Sequence, residues 1–417
     1  MQQNSAKTPF WRYTLFWRYP RFWRDIRVLK VFFQIFFIIG IILLALFFYT
    51  NMLKGLDDQG TELSWDFLLD EAGFGTDEGI GFDRSDTKLK AFWVGIVNTL
   101  RVSIIGIFCA TIVGFFLGIA RLSSNWLINK TAAVYVEIFR NTPLLLQILF
   151  WYPLILALPK VRESINFFDT IFINHRGVFL PSVEIADGFN TWLWYPISGI
   201  ILTIIVVIGF AAFRHFYRSP EIQQTDRPSF VSHLIFSAKW TAVPMFLIVA
   251  IVGWFLTPET PFELSRPVLQ GFNFVGGMDL TPEFTALLIG LTVYTSAFIA
   301  EVVRAGIQSV VKGQREAARS VGLKESQVLR LVVIPQAIPV IVPPLTSQYL
   351  NLAKNSSLGI FIAFIDLFAV GKIIIGYTGQ SVPIFAIIMT CYLIMSLTTS
   401  AFMNWYNRRI TRFGSSN

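Results

Sequence analysis

The run VFFQIFFIIGIILLALFFYT, residues 31–50, contains no charged residue. Roughly 20 such residues wound as a helix cross a hydrocarbon core about 30 Å thick, so this run fixes the solvent in which the chain folds. By the same criterion further spans fall near residues 95–120, 133–157, 196–214, 239–256, 284–307, 336–354 and 383–404, about eight in all. Hydrophobic residues make up 54% of the chain and charged residues 14%, far from the balance of a soluble domain. The expected fold class is an all-α integral membrane protein. A further apolar stretch, LGIFIAFIDLFAVGKIII at 358–375, carries Asp366, Gly371 and Lys372. It reads as a half-buried or re-entrant helix, tolerated at membrane depth only under protein cover.

Lys and Arg concentrate on cytoplasmic loops, and their distribution sets the expected orientation. Residues 1–30 form a basic, aromatic tail with Lys7, Arg12, Arg18, Arg21, Arg24, Arg27 and Lys30. The loop 51–92 is acidic, with Asp57, Asp58, Glu62, Asp66, Asp70, Glu71, Asp77, Glu78, Asp83 and Asp86. The tail is therefore expected inside and the loop outside. Alternation then places Arg121 and Lys130, Arg214, Arg218 and Arg227, and Arg408, Arg409 and Arg412 inside, so both termini face the cytoplasm. The tail repeats Phe-Trp-Arg at 10–12, 16–18 and 22–24. A spacing of six turns each copy by about 120° on a helix, so the copies do not share one face. Trp rings and Arg heads at the inner headgroup layer are the expected arrangement, with partner binding as the alternative. No small-residue cleavage site follows the first span, which is expected to remain as an anchor.

The net charge of +8 is what basic loops facing anionic lipid require, and nucleic acid is not an expected partner. Cys109 and Cys391 lie in apolar runs, and His175, His215 and His233 are scattered. That pattern supports neither a metal site nor a histidine-based triad. The sequence has no G-x-x-x-x-G-K-[ST], H-E-x-x-H or G-x-S-x-G pattern, so no catalytic residues are assigned and nucleotide chemistry is expected on another chain.

The most polar interruption late in the chain is GQREAARSVGLKESQVLRLVVIPQA, residues 313–337. Glu316, Ala317, Ala318 and Arg319 favour a helix, and Gly322 can take the positive φ that ends one. A second helix is expected through LKESQVLRLVVI, up to Pro335. Ala317 and Val321 share one side of the first helix, while Arg315 and Arg319 share another. Small residues for close approach and charges for register suit a cytoplasmic helix seated in another protein's cleft; a solvated interhelical loop is the alternative.

Ionisable residues within spans are costly and so are candidates for function. Glu137 with Arg140, and Glu301 with Arg304, are spaced to pair on their own helices near the cytoplasmic ends. They read as an inner gate or a coupling link, or else as pairs snorkelling to the interface. Arg101 and Lys354 fall toward the outer half of their spans. With Gln147, Gln348, Asn351, Asn355, Ser356 and Ser357 they are candidates to line a solute path, or to satisfy neighbouring backbone and a partner subunit. Thr142-Pro143 interrupts a span early, freeing carbonyls for a cavity or making a packing kink.

Glu316-Ala317-Ala318, then Gly322, Val332 and Ile334-Pro335, resemble the EAA signature of permease subunits of ABC importers, with Val332 and Ile334 where the family prefers Ile and Leu. The stretches AFIAEVVRAGIQSVVKGQREAARSVGL and EIFRNTPLLLQILFWY resemble its polar amino-acid branch over roughly 90–157 and 284–410. The N-terminal extension, with its own span, and the two-span insertion resemble the larger permease of general L-amino-acid importers, where two unlike permeases pair. The resemblance implies a five-helix type I importer core in two parts, 93–157 and 284–405, around an insertion at 158–283, with a tail at 406–417. It implies that Gln314, Arg315, Glu316, Ala317, Ala318, Arg319, Ser320, Gly322 and Leu323 belong to a coupling helix docked on a dimeric ABC ATPase. ATP and magnesium would sit on that ATPase, with no cofactor on this chain. The other implied partners are a second homologous permease, a periplasmic amino-acid-binding protein, membrane lipid and the L-amino-acid substrate, at the bacterial inner membrane. Asn355 departs from the family, where an acidic residue commonly follows the lysine, and leaves charge preference open. A passive channel or a non-transporting scaffold is the alternative function.

Overall fold

The structure is a computed structural model and describes residues 26–58, 64–76, 78–187, 189–216, 244 and 246–414. The Phe-Trp-Arg repeats, Arg218, Arg227 and the start of the expected span at 239–256 lie outside these residues.

Helix α1 (Ile26–Asp58) carries the uncharged run and is exposed along almost its whole length. After a loop, Thr87 caps α2 (Lys88–Ala120) by accepting from the Lys90 amide at 3.3 Å. Asn125 caps α3 (Trp126–Asn141), accepting from the Leu127 amide at 2.9 Å. Helix α4 (Leu144–Leu156) follows at once. The expected span at 133–157 is thus two helices, broken where Pro143 lacks an amide to donate. Beyond α4 come strands β1 (Ile165–Phe167), β2 (Ile171–Asn174), β3 (Gly177–Leu180) and β4 (Ser182–Ile185). Helices α5 (Phe189–Trp192), α6 (Trp194–Phe216) and α7 (Phe246–Leu256) lead to β5 (Phe262–Ser265), β6 (Val268–Gln270), β7 (Asn273–Val275) and β8 (Met278–Leu280).

Thr281 then caps α8 (Pro282–Ser309), whose first helical residue is a proline. The chain closes with α9 (Lys312–Ser320), α10 (Glu325–Gln327), a π-helical turn at Val328–Val333, α11 (Ile334–Asn355), α12 (Leu367–Thr378) and α13 (Ser381–Gly414). Six helices among the described residues are long and apolar enough to span a membrane; the other two expected runs are the broken α3–α4 pair and α7. Helix α12 has 12 residues, about 18 Å of rise, too short to cross alone. It is reached through a 3₁₀ stretch, Ser356–Ile362, and a turn at Ala363.

Helix α8 is the hub, packed by α2, α3, α4 and α11. A Cβ at Gly114 or Gly118 of α2 would come within 2.6–2.7 Å of Ile299, Ala300 or Val303, so glycine lets these two backbones meet. A second core joins the loop before α2 to α12 and α13 through Phe67, Phe92, Leu367 and Ile384.

The strands, unforeseen in the sequence, add a small β part to the helical bundle. They make one sheet in the order β1-β2-β3-β8 and two ribbons, β4–β5 and β6–β7, all antiparallel. Since β4 pairs with β5, the α6–α7 excursion leaves and returns on the same side. Phe274 stacks between Phe172 and Phe179 at 4.5 and 4.9 Å, giving the strands their own small core.

Candidate functional site

The bundle has two polar ends, the sheet end where α8 begins and the α9 end where it stops. At the α9 end, Glu301 gathers cations from three helices. Arg304 donates to its Oε1 through Nε at 3.0 Å and also through Nη2, while Arg121, from the end of α2, donates to Oε2. Arg140 of α3 comes to 3.9 Å from Oε2 and lies over the Phe298 ring, 5.2 Å from its centroid. The expected pairing within α8 is present. The pairing within α3 is not: Arg140 turns toward α8, and Glu137 is exposed with no ion pair among the described residues. Arg121 was legible only as a loop cation, since its partner lies 180 residues away. Beside the cluster is a cavity of about 370 Å³, bounded by Arg140, Phe298, Glu301, Pro344 and Gln348.

The segment just beyond is built to present one face. Ala318 is buried and Arg315 donates to the Ile307 carbonyl, fastening α9 to the end of α8. Arg315 and Arg319 therefore do not share a role: Arg315 points inward, while Arg319 is exposed and bidentate to Glu325, at 2.6 and 3.1 Å. Gly322 has φ +84° and turns the chain out of α9, its amide donating to the Arg319 carbonyl at 2.9 Å. Glu316, Ala317, Ser320, Val321 and Gly322 are exposed, and Leu323 is half-buried. Gln314 accepts from Gln336 at 3.5 Å. The expected second helix is present only as one short α-turn that passes into the π-helical turn and on into α11.

Several expected path residues are held in structural roles. Gln147 is buried and donates to the Phe139 and Thr142 carbonyls, both at 3.0 Å. Its side-chain nitrogen thus satisfies carbonyls at the break made by Pro143, while its amide oxygen is buried without a partner among the described residues. Thr142 bonds back to Ile138 at 2.8 Å, and Ser356 is buried against the Ala353 carbonyl at 2.9 Å. Along α11, Ser347, Asn351 and Lys354 are exposed and Gln348 and Asn355 half-buried, a polar seam running from the cavity toward the sheet end.

At the sheet end Arg101 is taken up by Glu78 at 3.4 Å and lies over Phe284, 5.3 Å from the centroid. Glu78 also accepts from the Thr281 hydroxyl. Burial pushes the Glu78 carboxyl above the usual carboxylate range, with Asp279 and Glu283 adding to the rise against the pull of Thr281 and Arg101. Asn98 donates to the Glu78 and Ile365 carbonyls at 3.3 and 2.9 Å. Asp366, fully buried, caps α12 and accepts from Tyr392 at 3.1 Å. No spacing rule links residues so far apart in sequence.

Residues 230–412 match the family model described as binding-protein-dependent transport system inner membrane component. The Escherichia coli (strain K12) permease protein YhdX is 42% identical over 381 residues, covering 91% of this chain and 93% of its own. The chain belongs to this family of ABC transporter permeases. The permease is also similar to AapQ of Rhizobium johnstonii, a general L-amino acid transport system permease protein, at 41% identity with 93% of each chain covered. BztB of Rhodobacter capsulatus, a glutamate/glutamine/aspartate/asparagine transport system permease protein, is 36% identical, covering 93% of this chain and 94% of its own. A crystal structure of an amino acid ABC transporter with histidines is 23% identical, with a TM-score of 0.43, covering 77% of this chain and 94% of that one.

Proposed function

We propose that the permease imports L-amino acids in an ATP-driven system in which a separate dimeric ABC ATPase docks on the surface made by α9 and Gly322. The observation that carries this reading is the similarity over nine-tenths of the chain to permeases named for amino acids. The shape of the segment supports it: Arg315 and Ala318 anchor it inward while Glu316, Ala317, Ser320 and Val321 face away from the bundle. ATP and magnesium belong to the ATPase. Its closure would press on α9, and only a difference in affinity for two permease conformations can turn that motion into alternating access. A second, homologous permease completes the membrane unit. Exposed Asn351 and Lys354 on α11 would be costly against lipid, which supports cover by that companion or by a water-filled path. The sheet end is the outer one, where a periplasmic amino-acid-binding protein delivers its load, and both termini are cytoplasmic at the bacterial inner membrane.

The test is uptake of labelled glutamate, glutamine, lysine and leucine into proteoliposomes holding the permease, its companion and the ATPase. Accumulation that needs both ATP and the external binding protein is the expected result. Equilibration without ATP would make the chain part of a channel, and no flux from an ATP-hydrolysing complex would reject these solutes.

A further inference from the structure

The cluster at the α9 end is not balanced. Glu301 already holds Arg121 and Arg304, so at 3.9 Å Arg140 is an onlooker beyond hydrogen-bond reach. Among the described residues the Arg140 guanidinium donates to no protein acceptor, though a guanidinium offers five N–H groups in a fork matched to a carboxylate. Three arginines face one glutamate, leaving a surplus of positive charge beside the cavity of about 370 Å³. That volume is within the range of about 300–1,000 Å³ usual for small-molecule sites. The ring of Phe298 fixes one side of Arg140, and Gln348 brings an amide to the same space from α11. The polar seam of α11 leads to it from the other end of the bundle.

We propose that this cavity is a carboxylate subsite of the solute path, in which Arg140 receives a carboxylate of an amino acid of net negative charge while Gln348 bonds its polar remainder. The proposal rests on the importer reading above and deepens it: the surplus charge selects acidic over neutral and neutral over basic amino acids. Glu301 acts here as the tether that holds Arg121 and Arg304 by hydrogen bonds and leaves the N–H groups of Arg140 without a protein acceptor among the described residues.

Equilibrium binding of labelled L-glutamate, L-glutamine and L-lysine to the purified complex, without nucleotide and without the external binding protein, tests it. The expected order of affinity is glutamate, glutamine, lysine. Arg140→Gln should weaken glutamate binding at least about tenfold and change lysine binding less than about twofold, and Arg140→Lys should recover part of the loss. Unchanged glutamate affinity in Arg140→Gln would overturn the subsite. So would an equal loss for all three solutes, no recovery in Arg140→Lys, or no saturable binding to the wild-type complex. In each case ATP-dependent uptake by the same wild-type preparation would leave the importer reading standing, whereas uptake without ATP would remove that reading.

Discussion

The two polar ends of α8 are inverses of each other. At the sheet end one arginine, Arg101, serves Glu78 while Asp279 and Glu283 crowd the same carboxylate. At the α9 end one glutamate, Glu301, serves two arginines with a third close by. The sheet-end carboxylate is almost fully buried and braced by Thr281, the cap of α8. The other borders a cavity and is part-exposed. The first arrangement closes a seam between loop and helix; the second keeps a cation available. Charge excess of opposite sign at the two ends shows that an ion pair in a membrane protein is read by what it leaves over.

Glu301→Gln should break the comparison most severely, by leaving Arg121 and Arg304 without their shared carboxylate and Arg140 without the charge 3.9 Å away. Removing one partner of a buried pair costs about 3–5 kcal/mol; because Glu301 is part-exposed we expect about 2–3 kcal/mol, seen as a lower thermal midpoint of the purified complex. Gly322→Val comes next. The φ of +84° suits glycine and costs a β-branched residue about 1–2 kcal/mol. Uptake per ATP hydrolysed should fall while binding of the solute to the cavity persists; unchanged coupling would separate the α9 surface from transport.

Glu78→Gln sharpens the contrast from the other end and should cost less than about 1 kcal/mol at neutral pH, because burial already disfavours the charge. A carboxyl whose folded pKa is raised contributes stability that is fully present below its unfolded value, near 4.5, and is lost as pH rises through the folded value. The wild type should therefore gain on Glu78→Gln as pH falls from 7 toward 5, measured by paired melts; a gap that moves the other way would reverse the assignment. Arg319→Ala is the smallest: its pair with Glu325 is exposed, where ion pairs contribute little. The thermal midpoint should not move measurably, and a clear drop would mean that the Arg319 bridge, and not Arg315 and Ala318, holds α9.

What the sequence disclosed depended on range. The uncharged run of α1, the glycine after α9 and the interruption at Thr142-Pro143 are local signals, and each appears in the structure at the residues that carry it. Strands of three or four residues do not repeat often enough for alternation to register, so the sheet went unseen. For Gln147 the sequence left a solute path and a backbone partner both open, and only the structure shows that its side-chain nitrogen donates to the Phe139 carbonyl, four residues before Pro143, and to the Thr142 carbonyl. Arg121, Glu78 and Thr281 were invisible as partners: Thr281 and Glu78 meet across 203 positions, and no periodicity spans that distance.

The β4–β5 ribbon has a consequence for chain length. Ile185 faces Phe262 across it, and the Ala186 amide donates to the Pro261 carbonyl at 3.1 Å. The two ends of the α6–α7 excursion are thus tied a strand's width apart, at a fixed distance from the start of α8. Ala186 and Pro261 already lie side by side, so the number of residues between them does not set where α8 begins.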